Sequence, residues 1–149
     1  MRAQRVAQMP RATSPKALQQ LLNATPFNRF YRFRVISASA GSCVIRTPYR
    51  PEFARPDGII AGIIFIAAAD VAMWLAIAAR IGIHERTVTV EMKTNFLRSA
   101  RKEGFLCRAR VMKLGRQLIY GTAECYTPSR GLLSHHTLTY IHLPGEQVG

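Results

Sequence analysis

Acidic residues are scarce in this sequence, and the first of them is Glu52. The 149 residues include 21 lysines and arginines but only 8 aspartates and glutamates, which gives a formal net charge of +13. This excess indicates either an anionic partner, such as a phosphate-bearing molecule, or a solvated basic surface. RNP-like aromatics, a helix-turn-helix and zinc-finger spacing are all absent, so we expect no nucleic-acid partner.

Cysteines are also few. Cys43, Cys107 and Cys125 are odd in number and form no C-x-x-C pair, which argues against a disulfide framework and a structural zinc site. His135 and His136 are adjacent, so they would face opposite sides of a strand and make a poor metal pair. No apolar leader is apparent, and a reducing cytoplasm is therefore the expected location. We predict no metal site and no cofactor.

The order of the apolar patterns predicts a domain of the α+β class. Residues 1–14 are expected to be a disordered basic tail, and residues 15–149 a single domain. The domain begins with a helix in SPKALQQLLNATPF, followed by a hairpin of RFYRFRVISAS and GSCVIRTPYR. A long apolar segment and four alternating strands complete it. One antiparallel sheet around one buried helix accounts for this order.

The apolar segment GIIAGIIFIAAADVAMWLAIAARIG, residues 58–82, is long enough to cross a bilayer. It nevertheless carries Asp70 at its centre, and it is rich in alanine and glycine rather than leucine. The amphipathic strands around it also need a helix to cover their apolar faces. We therefore expect a core helix and no membrane span. Asp70 is then either a reactive carboxylate or a structural acid paired with a hydroxyl or an arginine.

The stretch RPDGIIAGIIFIAAAD resembles the start of the central helix in hotdog-fold acyl-CoA thioesterases, in the branch of the phenylacetate-pathway and 4-hydroxybenzoyl-CoA enzymes. Their signature is His-Gly-Gly with an acid eight residues after the first glycine, and Gly62 and Asp70 occupy those two positions. VTVEMKTNFLRSA and ARVMKLGRQLIYGTAECY match the next strand and hairpin, so the resemblance covers about residues 27–143. The chain departs from the signature at Ala61, where the family has histidine, and at Ile63, where it has the second glycine.

The resemblance implies the hotdog fold, an antiparallel sheet wrapped around one long central helix, and hydrolysis of an acyl-CoA thioester. The backbone N–H of Gly62 at the helix N-terminus would bind the carbonyl oxygen, and Asp70 would act as base or nucleophile. Eight helical residues span about 12 Å, so both groups of one chain cannot reach one thioester. Two antiparallel helices in a homodimer could do so, and two dimers could pair into a tetramer.

Further site residues follow from the same resemblance. Thr89 falls where relatives place a hydroxyl near the attacking water, and Arg55 falls where many relatives carry an amide near the reacting region. Other candidates for substrate binding are Ile63, Met73 and Trp74 at the acyl group, Arg98, Lys113 and Arg116 at the coenzyme A phosphates, and Asn95.

Structural roles stay open for several of these residues. Gly62 suits tight helix packing as well as substrate approach, and Thr89 is also an ordinary strand residue. The missing histidine at Ala61 leaves a second function open, in which a hotdog dimer binds acyl-CoA or a fatty acyl group without hydrolysing it.

Overall fold

The computed structural model describes residues 13–145. In chain order the elements are α1 (Pro15–Asn23), α2 (Asn28–Tyr31), β1 (Arg34–Ser39), β2 (Ser42–Thr47), a 3-10 turn (Pro51–Phe53), α3 (Gly62–Ile81), β3 (Thr87–Phe96), β4 (Phe105–Leu114), β5 (Leu118–Thr127) and β6 (Gly131–His142). The strands form one antiparallel sheet in the order β1-β2-β4-β5-β6-β3. This confirms the predicted α+β architecture, with one sheet around one long helix.

Helix α3 is the core of the domain because nearly every one of its side chains is apolar. Ala68, Ala72 and Ala76 are fully buried, and their small side chains let the sheet approach the helix closely. By length and composition alone the helix could cross a membrane, but 67% of its most apolar 18-residue stretch is buried inside the domain. This apolar surface therefore forms the packing interface between the helix and the sheet.

The chain differs from the predicted pattern just before β1. The alternation predicts a strand from Arg29 onward, whereas Asn28–Tyr31 form the short helix α2. The buried Asn28 side chain explains the difference: its Oδ1 accepts a hydrogen bond from the Phe33 N–H at 2.9 Å, and its Nδ2 donates to the Phe33 carbonyl at 3.3 Å. These bonds close a turn in which Arg32 adopts a left-handed φ of 56°.

The predicted tail falls mostly outside the described residues, which begin at Thr13. Thr13 donates hydrogen bonds from its N–H to the Ala79 carbonyl and from its hydroxyl to the Ala78 carbonyl. Ser14 caps α1 by accepting a hydrogen bond from the Ala17 N–H at 3.2 Å. These two residues therefore contact the domain rather than belonging to a loose tail.

Candidate active site

Asp70 lies half-buried at the middle of α3, and two hydroxyl groups hold its carboxylate. The Thr89 hydroxyl donates to Oδ1 at 2.6 Å, and the Tyr140 hydroxyl donates to the same oxygen at 2.5 Å. The Tyr140 hydroxyl also lies 2.8 Å from the backbone carbonyl oxygen of Asp70. Oδ2 accepts no hydrogen bond from residues 13–145, so one carboxylate oxygen is held and the other is available.

The two hydroxyls come together through strand pairing. Thr89 on β3 and Tyr140 on β6 are directly opposite each other in the antiparallel register. The register shifts between Thr89 and Glu91, which leaves Val90 as an extra residue on β3. Such a bulge re-aims the side chains beside it and is common next to active sites.

Tyr140 is only 3% exposed. Burial is the largest cause that raises the pKa of its phenol above the ordinary tyrosine value, and the charge of Asp70 and the hydrogen bond to it raise the pKa further. The phenol therefore remains protonated at neutral pH and acts as a hydrogen-bond donor to the carboxylate.

A cavity of about 370 Å³ opens beside the Asp70 carboxylate. Its walls come from the α1–α2 connection, from α3, from the start of β3 and from β6. Asp70 is the one charged residue among the residues that line it. The lining residues are Thr25, Phe27, Asp70, Val71, Trp74, Thr87, Val88, Thr89 and Tyr140. An uncharged and largely apolar group therefore fits this cavity.

Gly62 lies at the other end of the candidate site, at the N-terminus of α3. Its N-cap residue, Ala61, makes no side-chain capping bond, and the first N–H groups of a helix have no carbonyl four residues earlier. A Cβ on Gly62 would lie 3.1 Å from the Phe96 ring, so glycine allows close approach here. A second cavity of about 380 Å³ lies at this point, and it shares no lining residue with the Asp70 cavity.

Two of the predicted basic residues, Arg55 and Arg98, line this Gly62 cavity. Arg55 forms an ion pair with Asp57, and the hydrogen bond from Arg55 is the main cause that lowers the pKa of Asp57 to about 2. Arg98 donates a hydrogen bond to the Arg130 carbonyl at 2.8 Å. The charge of Arg55 is therefore compensated by Asp57, whereas Arg98 has no acidic partner within residues 13–145.

Three predicted apolar contacts have different surroundings. Trp74 lines the Asp70 cavity. Met73 is 1% exposed and packs against β5, where a Cβ on Gly121 would lie 2.4 Å from its Cε atom. Met73 is thus a core residue and does not line the cavity. Ile63 is 63% exposed at the start of α3.

The remaining predicted residues are spread over the domain. Asn95 is exposed on β3, opposite His135 of β6. Lys113 and Arg116 lie at the β4–β5 turn, next to the ends of β6 and β3 that adjoin the C-terminus of α3. Within one chain the structure does not bring this turn together with Arg98, because α3 is roughly 30 Å long.

Tyr140 was missed by reasoning from the sequence. The available signal was the alternation of β6, in which Ser134, His136, Leu138 and Tyr140 share the buried face. His136 is also buried, with its ring nitrogens 2.8 Å from the hydroxyls of Thr94 and Ser134. It is a satisfied core histidine, and among the described residues no group of three or more potential ligands is arranged to hold a metal ion.

Comparison with known proteins gives a consistent result. The sequence profile of the thioesterase superfamily matches residues 58–134. A Saccharolobus solfataricus protein assigned as an esterase is 31% identical over 105 residues, which are 70% of this chain and 74% of that protein.

Solved structures of thioesterases share the fold. A thioesterase family protein from Silicibacter pomeroyi has a TM-score of 0.80 and 26% identity, over 86% of this chain and 96% of its own. A thioesterase from Haemophilus influenzae has a TM-score of 0.82 and 18% identity, over 93% and 97%. These similarities confirm the expected hotdog fold.

Proposed function

The chain belongs to the thioesterase superfamily, and we propose that it hydrolyses acyl-CoA thioesters with Asp70 as the catalytic carboxylate. The observation that carries this proposal is the geometry around Asp70. Thr89 and Tyr140 hold Oδ1, while Oδ2 is available beside an apolar cavity. A purely structural acid would gain from pairing both oxygens, whereas a base or nucleophile needs one oxygen free.

The proposed reaction divides the work between the middle of α3, where Asp70 lies, and its N-terminus at Gly62. Oδ2 of Asp70 takes a proton from water, and the water oxygen adds to the thioester carbonyl; the C–S bond then breaks, and the coenzyme A thiolate leaves with that proton as the free thiol. If Oδ2 instead attacks the carbonyl directly, the same C–S bond breaks, and water then hydrolyses the mixed anhydride and restores the carboxylate. The backbone N–H of Gly62 binds the oxyanion that forms, aided by the positive end of the helix dipole. Thr89 and the protonated Tyr140 keep the carboxylate in one orientation.

Gly62 and Asp70 can act on one thioester only if two chains combine, because roughly 12 Å of helix separate them. We therefore include a homodimer with antiparallel α3 helices in the proposal. An apolar surface on α3 and the edge strand β3 supports it, since such exposed patches mark interaction sites. Its exposed residues are Ile63, Ile66, Val88, Val90, Phe96 and Leu97. Pairing of two dimers into a tetramer, and a cytoplasmic location, stay predictions.

The substrate class follows from the cavities. The apolar walls beside Asp70 favour a neutral aliphatic or aromatic acyl group, because a second carboxylate there would face the charge of Asp70 without a partner. Arg98 at the Gly62 cavity has no acidic partner within residues 13–145, and its charge favours an anionic carrier such as coenzyme A. The particular branch of the superfamily stays a prediction.

A second function remains in view because of one observation. Ala61 provides no polar side chain at the N-cap of α3, where the resembled enzymes carry a histidine. A dimer that binds acyl-CoA without turnover would retain the same cavities.

The proposal is tested by using chromatography to measure the release of coenzyme A from a panel of aliphatic, aromatic and dicarboxylic acyl-CoAs. Asp70→Asn should abolish turnover while folding and acyl-CoA binding are retained. Glu124→Gln, on the exposed outer face of the sheet, is the matched control and should behave as wild type. Binding without turnover in the wild-type protein would favour the second function, and equal turnover in Asp70→Asn would exclude Asp70 as the catalyst.

A further inference from the structure

Three arginines line one concave surface near the β1 edge of the sheet, which we call the arginine groove. Its volume is about 510 Å³, and its lining residues are Arg32, Arg34, Ile36, Arg46 and Pro48. None of these is acidic, and within residues 13–145 none of the three arginines forms an ion pair. The groove is therefore an uncompensated concentration of positive charge.

The pairing of Arg34 with Arg46 is unfavourable for the isolated fold. The two residues are direct partners across β1 and β2, and like charges at such positions repel. A charge on an edge strand often prevents other chains from adding to it, which would account for Arg34. It does not account for Arg46, because β2 is an internal strand. The β1 edge is also partly covered, since Gln19 Oε1 accepts the Val35 N–H at 2.7 Å.

Arg32 lines the groove from a turn whose backbone conformation is fixed by hydrogen bonds. Its φ of 56° lies in a region that side chains other than glycine rarely adopt. The buried Asn28 side chain enforces this turn through its two hydrogen bonds with Phe33. An arginine in a strained conformation and a like-charged pair thus occur together, and the repulsion would be relieved by a bound anion.

We propose that the arginine groove binds a small polyphosphate, meaning a molecule with two or more phosphate groups. The planar fork of a guanidinium group matches phosphate oxygens in a bidentate manner, and three such groups suit several phosphates. Ile36 and Pro48 supply apolar walls, but no aromatic ring lines the groove to stack a nucleobase. Recognition is therefore of the phosphates.

The arginine groove is separate from the Asp70 site. Four strand spacings, roughly 19 Å, lie between β2 and the strand that carries Thr89. The occupant is either a free polyphosphate or the nucleotide end of a coenzyme A molecule, which carries the same chemistry. The site itself does not depend on the proposed hydrolysis.

Calorimetric titration with inorganic pyrophosphate tests the groove directly. The double variant Arg34→Gln/Arg46→Gln should bind at least about tenfold more weakly than wild type. Arg29→Gln/Arg110→Gln removes the same charge from exposed positions outside the groove and should stay within roughly twofold. Equal losses in both variants, or wild-type binding in the groove variant, would overturn the proposal.

Two further arms identify the source of the phosphates. A rise in KM for acyl-CoA but not for acyl-pantetheine, in the groove variant, would assign the groove to the coenzyme A nucleotide. Unchanged KM values with lost pyrophosphate binding would assign it to a free polyphosphate. Binding of duplex DNA without binding of pyrophosphate would refute a small-molecule site. Absence of any turnover would count against the thioesterase proposal and leave the pyrophosphate result intact.

Discussion

Removing the Tyr140 hydroxyl is the most informative perturbation of the Asp70 site. Tyr140→Phe deletes one of the two donors to Oδ1 and leaves the aromatic ring in place. A hydrogen bond to a charged group contributes about 1.5–3 kcal/mol to stability. We therefore expect Tyr140→Phe to lower the free energy of unfolding by about 1.5–3 kcal/mol. The space left by the deleted hydroxyl group is small, so loss of packing adds little to this decrease in stability.

The effect on catalysis follows from what remains. Thr89 still donates to Oδ1, so the carboxylate is loosened but not released. If the looser carboxylate raises the activation free energy by about 1.4 kcal/mol, kcat falls about tenfold. KM should change little, because the Tyr140 hydroxyl is bonded to Asp70 and the side chain is only 3% exposed, so it offers little surface to an acyl group.

Steady-state kinetics and chemical unfolding of the same samples measure both effects. Tyr120→Phe is the matched control, because Tyr120 is 42% exposed on β5. An unchanged kcat in Tyr140→Phe, with the stability loss present, would show that the hydroxyl supports the fold alone. A change in KM without a change in kcat would refute the positioning role.

Three more predictions follow from the same contacts. Thr89→Val should lower kcat about tenfold while Thr89→Ser keeps most of it, because only serine preserves the donor to Asp70; a similar loss in both would refute this. Gly121→Ala should destabilise the domain by about 1–3 kcal/mol in thermal unfolding, since its Cβ would lie 2.4 Å from the Arg110 carbonyl oxygen and from Met73; a wild-type Tm would contradict it. Because burial and Asp70 raise the pKa of Tyr140 in the folded state, the unfolded chain loses that proton first, so stability should fall as pH rises above about 10. Tyr140→Phe should show a shallower fall in alkaline unfolding experiments.

Part of the candidate site could be predicted from local sequence. The spacing of Gly62 and Asp70 within one apolar segment places both on one helix, and helical rise sets their separation. The alternation of β4 likewise predicts that Phe105, Cys107, Ala109 and Val111 share one face; the first three are buried and Val111 is half-buried. These inferences succeed because period and rise are properties of a single element.

Contacts between elements were harder to predict. Met73 and Trp74 are neighbours in sequence, and a helix that is apolar all round does not show which of them faces the sheet. Gly121 on β5 decides this for Met73, because its missing side chain leaves the space that Met73 fills. The short helix α2 was missed for a similar reason, since the Asn28 bonds that close its turn are not visible in an alternating pattern.

The sequence by itself determined the central helix, its carboxylate and the approximate positions of strands β2 to β6, because each depends on residues close together in the chain. Only the tertiary structure decided what surrounds Asp70. Tyr140 is 70 residues away from Asp70 in sequence. Thr89 joins Tyr140 at the carboxylate because β3 pairs with β6 at the edge of the sheet rather than with β4, its neighbour in sequence. Strand order and register arise from long-range pairing and packing of the whole chain, which no local period encodes.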